Sequence, residues 1–485
     1  MKNNRGNNIV IITADQWRGD CIGCLKNSRH PVMTPHLNQL ASEGVLFTQA
    51  YTDCPICMPQ RVTTLTGQVA SRFGLTSNFA CRSPIENSLP AKLTEEANYQ
   101  TKAIGKTHFH PSRARFGFEH ITLHPNDYVN WLEEQGYGGL YRGHGLGGNE
   151  IYPATSAVPE RYSHTHWIID EAVKFLGQRD PDCPFFLWLI FEAPHSPFDP
   201  PEPYDRMYDN FKIPSPINGE WLNKKNSPVS IRNRQISQKN DYLSEEIILE
   251  SRRRYYGQIT HIDYQLGRFL GELKTRNLYD DTAIIFTSDH GEHLGDHGIF
   301  AKQTFLRGSG DVPLIMKFPK CSCLEITDSI IETPALTADI YPSILELASI
   351  KPESDIDGIS WTNRIFNGNV VFDRTIHGEC GNFAFAANKE FKYLYYMEDG
   401  AEQLFNMKED PDNLHDLAGI PSFNGTMEYL RQSLIDYLNR FKRPMVKDGR
   451  LQVIGKSYDE KELRMRNGTA WRGPMRYGQG YHGYE

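Results

Sequence analysis

The sequence predicts an α/β protein, with a large mixed central sheet flanked by helices and a smaller unit with a short antiparallel sheet and a helix at its C-terminal end. Three observations predict it. Asn8 to Gln16 and Thr282 to His290 are continuous runs rich in β-branched residues, each closing on an acid or just beyond it, the pattern of central parallel strands buried on both faces. Between such runs lie capped stretches with apolar residues at helical spacing, so strand and helix alternate. Near residue 370 the composition shifts to short strands separated by turn signals, which divides the chain into 1–370 and 371–485.

Size and composition bound the function classes. With 485 residues the chain buries a large core, as several domains or as one large domain with an appendage. Its 39% hydrophobic and 23% charged residues are ordinary for a globular protein. A net charge of -8 argues against nucleic-acid binding by general electrostatics, while leaving room for a local basic pocket for an anion. The longest apolar runs, Ile9 to Thr13 and Phe185 to Phe191, are far too short to cross a bilayer. Met1 to Gly6 lacks the apolar core of a signal peptide, so a cytoplasmic location is expected, or a periplasmic one where a signal has been removed. Nine cysteines without a framework fit a reducing compartment.

In chain order, the first strand ends at Asp15, where ligands gather in open α/β sheets, and Gln16 adds a second oxygen. A cap for the next element is the plainer reading of the same acid. Thr34 to Gly44 reads as a capped helix with Pro35 at its first position. Val45 to Tyr51 predicts a strand leading into a turn at Cys57, and Val62 to Leu65 the start of a buried helix. Glu96 to Gly105 reads as a helix end and a strand. Residues 111–165 have weak periodicity and are expected to be long loops over a site, with His164 and His166 as candidate substrate contacts. Trp167 to Gly177 reads as a helix, and Pro184 to Phe191 as a buried strand emptying into the Pro-rich segment that carries His195. Residues 202–240 read as an inserted loop region, and Tyr242 to Asn277 as one or two long helices. Val312 to Pro319 is a further strand and Leu336 to Ala348 an amphipathic helix. Asp373 to Glu379, Phe383 to Ala387 and Phe391 to Met397 form the small antiparallel sheet, followed by a helix over Met427 to Phe441. The tail from Asn467, with Trp471, Arg472 and Arg476, either closes over an acidic sugar or serves as a disordered or subunit-packing tail.

Cys57-Met-Pro59-Gln-Arg61, followed by Leu65-Thr-Gly67, resembles the signature of the type I, formylglycine-dependent sulfatases of the alkaline phosphatase superfamily and of their phosphonate-hydrolase relatives. Gly105-Lys106-Thr-His108 and His195-Ser-Pro-Phe198 are similar to further motifs of that family, as are Asp289-His290 and Lys302, and all stand in family order along nearly the whole chain. The resemblance implies an alkaline-phosphatase-like α/β sandwich. It implies that Cys57 is oxidised to formylglycine, whose hydrated aldehyde uses one hydroxyl to attack and the other to expel the ester, oriented by Arg61. Lys106, His108, His195 and Lys302 are the other catalytic residues it implies. Asp15, Gln16, Asp289 and His290 are the implied metal ligands, and Asn78 and Arg82 the implied substrate contacts. A mostly oxygen donor set suits one hard divalent cation, calcium, with Mg2+ or Mn2+ as alternatives. The implied partners are a sulfated saccharide of glycosaminoglycan type and a formylglycine-generating or anaerobic sulfatase-maturating enzyme, with no nucleic acid and no membrane.

Other readings of the same residues stay open. Gln16 stands where many sulfatases carry a second aspartate, and phosphonate and phosphodiester hydrolases share that departure, so a phosphonate monoester or phosphodiester hydrolase is the alternative to a sulfatase acting on a carbohydrate. A non-catalytic binding protein on the same fold is a third reading. Zinc held by His290, His293 and His297 rivals the oxygen-ligand site, although the spacing is not H-E-x-x-H. Cys54 and Cys57 also form a C-x-x-C pair, elsewhere a redox site or half of a zinc site.

Overall fold

A computed structural model of the chain describes residues 7–26, 28–78, 83, 85–223, 227–238, 243–320 and 329–455. Arg82, Cys321, Cys323 and the tail from Asn467 lie outside these residues. The strands before the C-terminal unit are β1 (Asn8–Asp15), β2 (Val45–Phe47), β3 (Ala50–Tyr51), β4 (Gln100–Gly105), β5 (His120–Leu123), β6 (Phe185–Pro194), β7 (Thr282–Ser288), β8 (Leu314–Lys317), β9 (Ile330–Ile331) and β10 (Ala335–Leu336). Eight of them form one mixed sheet in the order β5-β4-β6-β1-β7-β8-β2-β9. From β5 to β7 all neighbours are parallel, and β8 runs antiparallel to both β7 and β2.

The central strands read as unbroken apolar runs because both faces are covered. Side chains alternate across a strand, so β1 sends Val10, Ile12 and Ala14 into one core and Ile9 and Ile11 into the other. Leu187 and Leu189 join the first core, Phe186, Trp188 and Ile190 the second. Over the first face lie the helices Pro35–Ser42, His164–Gln178 and Glu245–Thr275, the last a single helix of 31 residues. Over the second lie Cys57–Thr66, Leu89–Ala97 and Ile340–Leu347. This is the layered α/β arrangement that the sequence predicts and that the family resemblance implies.

The four antiparallel strands β11 (Ile376–Cys380), β12 (Phe383–Ala387), β13 (Phe391–Tyr396) and β14 (Ala401–Asn406), with the helix Asn424–Arg440, form the C-terminal layer. One face of this sheet packs Ile376, Phe385, Leu394 and Phe405 against Tyr51, Cys54 and Ile56, and so braces the segment that leads into Cys57. Gly378 has to be glycine there, because a Cβ would meet the Asp53 carbonyl oxygen at 2.2 Å.

Several elements differ from the sequence reading. The strand expected over Val45 to Tyr51 is split: β2 joins the main sheet, while β3 pairs with β10 in a separate ribbon. Residues 111–165 are not all loop, since β5 extends the main sheet and Asn126–Glu134 is helical. Short elements in Gly- and Asn-rich sequence give little periodicity to read. The 202–240 region contains the helix Val229–Gln238. The helix expected from Val62 begins at Cys57 instead, because Pro59 is compatible with a first turn whose N–H groups need no intrahelical acceptor.

Candidate active site

The parallel strands β4, β6, β1 and β7 deliver their carboxyl ends to one edge of the sheet, and four of them end in polar groups. Asp15 closes β1, Asp289 and His290 follow β7, Glu192 and His195 lie at the end of β6, and Lys106 follows β4. Gly105 allows that last turn: its φ is +113°, and a Cβ would sit 1.9 Å from the Ile190 carbonyl oxygen. Cys57 is the first residue of its helix, with Ile56 extended before it, so the side chain faces the strand ends.

Close to the Cys57 sulfur lie His290 Nε2 at 3.1 Å, Lys302 Nζ at 3.3 Å and Asp15 Oδ1 at 3.7 Å. Arg61, one helical turn after Cys57, is fully buried and bridges both acids through Nη2, 3.1 Å from Asp15 Oδ2 and 2.9 Å from Asp289 Oδ2. Its Nη1 donates to the Lys106 carbonyl. Lys106 Nζ stands 2.8 Å from Asp15 Oδ2 and 3.5 Å from Glu192 Oε1. Lys302 Nζ has three hydrogens and three acceptors: Cys57 Sγ, Gln16 Oε1 at 2.9 Å and His195 Nε2 at 2.9 Å. It is a half-buried site lysine whose three hydrogens are all engaged.

The hydrogen bonds assign protonation. His195 Nδ1 lies 2.8 Å from the Ser196 carbonyl and must donate to it, so Nε2 accepts from Lys302. Burial and the neighbouring Lys302 and Lys106 hold His195 well below its ordinary pKa, hence neutral. Burial also lowers His108, a shift partly offset by its hydrogen bond with the Cys57 side chain. Burial raises Asp15, but the cations Lys106, Arg61 and Lys302 outweigh it and keep the carboxylate ionised. The φ of His108 is +55°, a left-handed conformation that turns its ring back toward Cys57.

The donor set fits a divalent cation. Ligand atoms of Asp15, Cys57, Asp289 and His290 all lie within 4.8 Å of one another. His290 Nδ1 donates to the Gly291 carbonyl at 3.0 Å, which fixes the tautomer that presents the Nε2 lone pair to this cluster. Gln16 lies beside it, its φ of +71° directing the backbone N–H to Asp289 Oδ1. The zinc reading does not hold for the other two histidines. His293 Nε2 pairs with Thr304 at 2.8 Å, and His297 Nδ1 accepts from Gly219. Cys54 does not pair with Cys57 either; its thiol faces Cys380 of β11.

Asn78 is exposed and accepts from the Met58 N–H at 3.0 Å, which caps the Cys57 helix. Arg82 falls outside the described residues. Of the two candidate histidines, both on the helix His164–Gln178, His166 is tied to Glu160, Asp170 and Arg268, a structural cluster, whereas His164 lines a cleft beside His195. Sequence reasoning missed two acids. Glu192 accepts from Arg142 at 3.2 Å and shares Lys106 with Asp15, and the rule that flagged Asp15 and Asp289, an acid at the end of a buried strand, also points to it. Glu292 takes the Gln16 side-chain amide on Oε2 and the Leu294 and Ala301 N–H groups on Oε1, so it orients Gln16 from behind.

The chain matches the family model for Sulfatase over residues 7–350 and that for N-sulphoglucosamine sulphohydrolase, C-terminal, over residues 295–440. It is 32% identical over 473 residues to an arylsulfatase of Clostridium perfringens, a span of 89% of this chain and 94% of the relative. The phosphonate monoester hydrolase of Agrobacterium radiobacter superposes with a TM-score of 0.74 at 24% identity, covering 90% of this chain and 95% of that one. A structure of an enzyme in complex with its substrate D-glucosamine-2-N,6-O-disulfate gives a TM-score of 0.71 at 20% identity, covering 90% and 98%. The two structural likenesses concern the fold.

Proposed function

Because this chain belongs to the sulfatase family and is a sulfuric ester hydrolase, we propose that its substrate is a sulfated carbohydrate, cleaved with a formylglycine made from Cys57 and one divalent cation, calcium by preference. The observation that carries the reading is the convergence of His290, Lys302 and Asp15 on the Cys57 sulfur, beside the buried cations Arg61 and Lys106. The sugar part of the reading is supported by the disulfated glucosamine named for one structure of the same fold.

Asp15, Gln16, Asp289 and His290 would hold the cation, which supplies Lewis-acid polarisation of a sulfate oxygen and of the nucleophile. A hydrated aldehyde at residue 57 would supply two hydroxyls, one as the nucleophile toward sulfur and one whose proton loss would let sulfate be expelled. Arg61, held by Asp15 and Asp289, fixes the hydroxyls. Lys106, held by Asp15 and Glu192, meets a sulfate oxygen. Lys302 is the group that carries a proton beside the nucleophile, so it donates to the departing alcohol oxygen, and neutral His195 keeps its Nζ aimed there. His108, neutral and against residue 57, takes the proton of the remaining hydroxyl. Three cations around one anion give the electrostatic stabilisation that the charge developing on the leaving oxygen and sulfate requires.

The test is the mass of the peptide carrying residue 57, from enzyme produced with a maturation enzyme, read together with hydrolysis of 4-nitrophenyl sulfate. A loss of about 18 Da relative to cysteine, and activity abolished in Cys57→Ala, are expected. Full activity with an unmodified cysteine refutes the nucleophile. Gln16 supports a second reading, a phosphonate monoesterase, which predicts faster hydrolysis of phenyl phosphonate monoesters than of aryl sulfates.

A further inference from the structure

A cleft of about 540 Å³, the open space at its mouth included, adjoins the Cys57 site and shares His195 and Glu192 with it. We propose that this cleft seats the leaving alcohol and that Gln258, assisted by Asp199, selects a hydroxyl-rich sugar that carries no anionic group besides the sulfate being cleaved. The proposal rests on the sulfatase reading of the Cys57 site.

The position follows from the contacts. His195 Nε2 lies 2.9 Å from the Lys302 ammonium, which itself lies 3.3 Å from Cys57 Sγ. A group bonded through oxygen to a sulfur held at residue 57 therefore extends past His195 toward this cleft, which is open at its mouth.

The chemistry follows from the wall. Gln258, on the 31-residue helix Glu245–Thr275, is 4% exposed. Its Nε2 donates to the Pro197 carbonyl at 3.0 Å and to Asp199 Oδ1 at 3.3 Å. A carbonyl only accepts, so the amide has one orientation, and Oε1 is left without a hydrogen-bond partner among the described residues. A buried acceptor with no donor is destabilising, and an O–H or N–H of a bound ligand satisfies it. Asp199 is held in turn by His144 Nε2 at 2.8 Å on Oδ2.

Charge narrows the class further. The wall carries the Glu192 and Asp199 carboxylates, and its guanidinium, Arg142, is engaged by Glu192 at 3.2 Å. His164 stands in the same wall as a neutral ring, lowered by burial. A second sulfate or a uronate carboxylate would face these acids at short range, whereas hydroxyl donors find acceptors. Gln258 is thus a specificity residue for the leaving group, remote from the bond that breaks.

The experiment uses the formylglycine-bearing enzyme and compares kcat/KM on 4-nitrophenyl sulfate with kcat/KM on monosulfated hexoses and N-acetylhexosamines and on their disulfated counterparts. A monosulfated sugar is expected to exceed its disulfated counterpart. In Gln258→Leu the ratio of sugar to aryl kcat/KM is expected to fall about tenfold, the size of one lost hydrogen bond to substrate. If Gln258→Leu does not accumulate as folded protein, Gln258→Met, which keeps the length of the side chain, carries the same comparison. A ratio that changes less than threefold overturns the proposal, as does faster turnover of the disulfated sugar or activity confined to the aryl sulfate. An enzyme that carries formylglycine yet cleaves neither class instead refutes the sulfatase reading on which the proposal rests.

Discussion

Two buried charge clusters lie near the carboxyl ends of β1 and β7, built from the same residue types. One gathers Asp15, Asp289, His290, Arg61, Lys106 and Lys302 around Cys57; the other gathers Asp20, Asp296 and His30 among Arg18, Arg29 and Arg252. In the second cluster every carboxylate is filled from within. Arg18 meets Asp20 through two parallel bonds of 2.8 Å, and Asp296 receives Arg18 at 2.9 Å and Arg29 and Arg252 at 2.6 Å each. Asp20, Cys21 and His30 are also close enough to share a metal, but a cation there would have to displace guanidinium groups already bonded in fork geometry. In the first cluster Arg61 and Lys106 bind the acids through their Oδ2 atoms, which leaves Asp15 Oδ1, His290 Nε2 and the Cys57 sulfur converging on a common spot. Residue type makes a charge cluster. Whether its partners are saturated decides if it is a brace or a site.

Substitutions test that contrast. The largest effect is expected from Asp289→Asn, which removes a metal ligand and half of the Arg61 clamp: aryl sulfate hydrolysis should fall about 10⁴-fold, several kcal/mol of transition-state stabilisation, with little change in the urea midpoint. Treatment with a chelator should reproduce the loss, and added divalent cation should reverse it. Asp296→Asn should do the opposite. It leaves Arg18, Arg29 and Arg252 facing a neutral amide, and should cost about 3 kcal/mol of unfolding free energy in urea, while the folded fraction keeps most of its activity. Equal activity losses in the two variants would erase the distinction.

The smallest effect is a pH dependence. Burial, only partly opposed by Asp20, lowers His30 to about 4, and the ring sits against the Tyr256 hydroxyl, Arg18 and Arg29. Between its ordinary value of 6.5 and about 4 the unfolded chain binds a proton that the folded one does not. Stability should therefore be fully present above pH 6.5 and fall by about 1 kcal/mol per pH unit as pH drops through that window. His30→Asn should flatten that slope in unfolding titrations, and an unchanged slope would assign it to other groups.

Much of this was legible in the sequence. A strand buried on both faces has to be apolar throughout, so the polar residue that ends it stands out, as Asp15 and Asp289 do. The Cys57 to Arg61 and Gly105 to His108 spacings are local, fixed by one helical turn and by one strand exit, and the chain shows them directly. Glu192 ends such a strand too, yet a Pro-rich loop follows it and masks the signal.

By itself the sequence determined the layers and the polar ends of the central strands, because both depend on short-range periodicity, while the residues around Cys57 were legible through the family resemblance of their motifs. The tertiary structure alone decided that Glu292 backs Gln16, that Gln258 keeps an unfilled acceptor in a cleft shared with His195, and that Asp20 is saturated by Arg18 whereas Asp15 is not closed off. The Glu292–Gln16 pair joins positions 276 residues apart, and the Arg18–Asp296 pair positions 278 apart. Hydrogen-bond saturation is set by which groups the folded sheet brings within about 3 Å, and no local pattern in the chain carries that information.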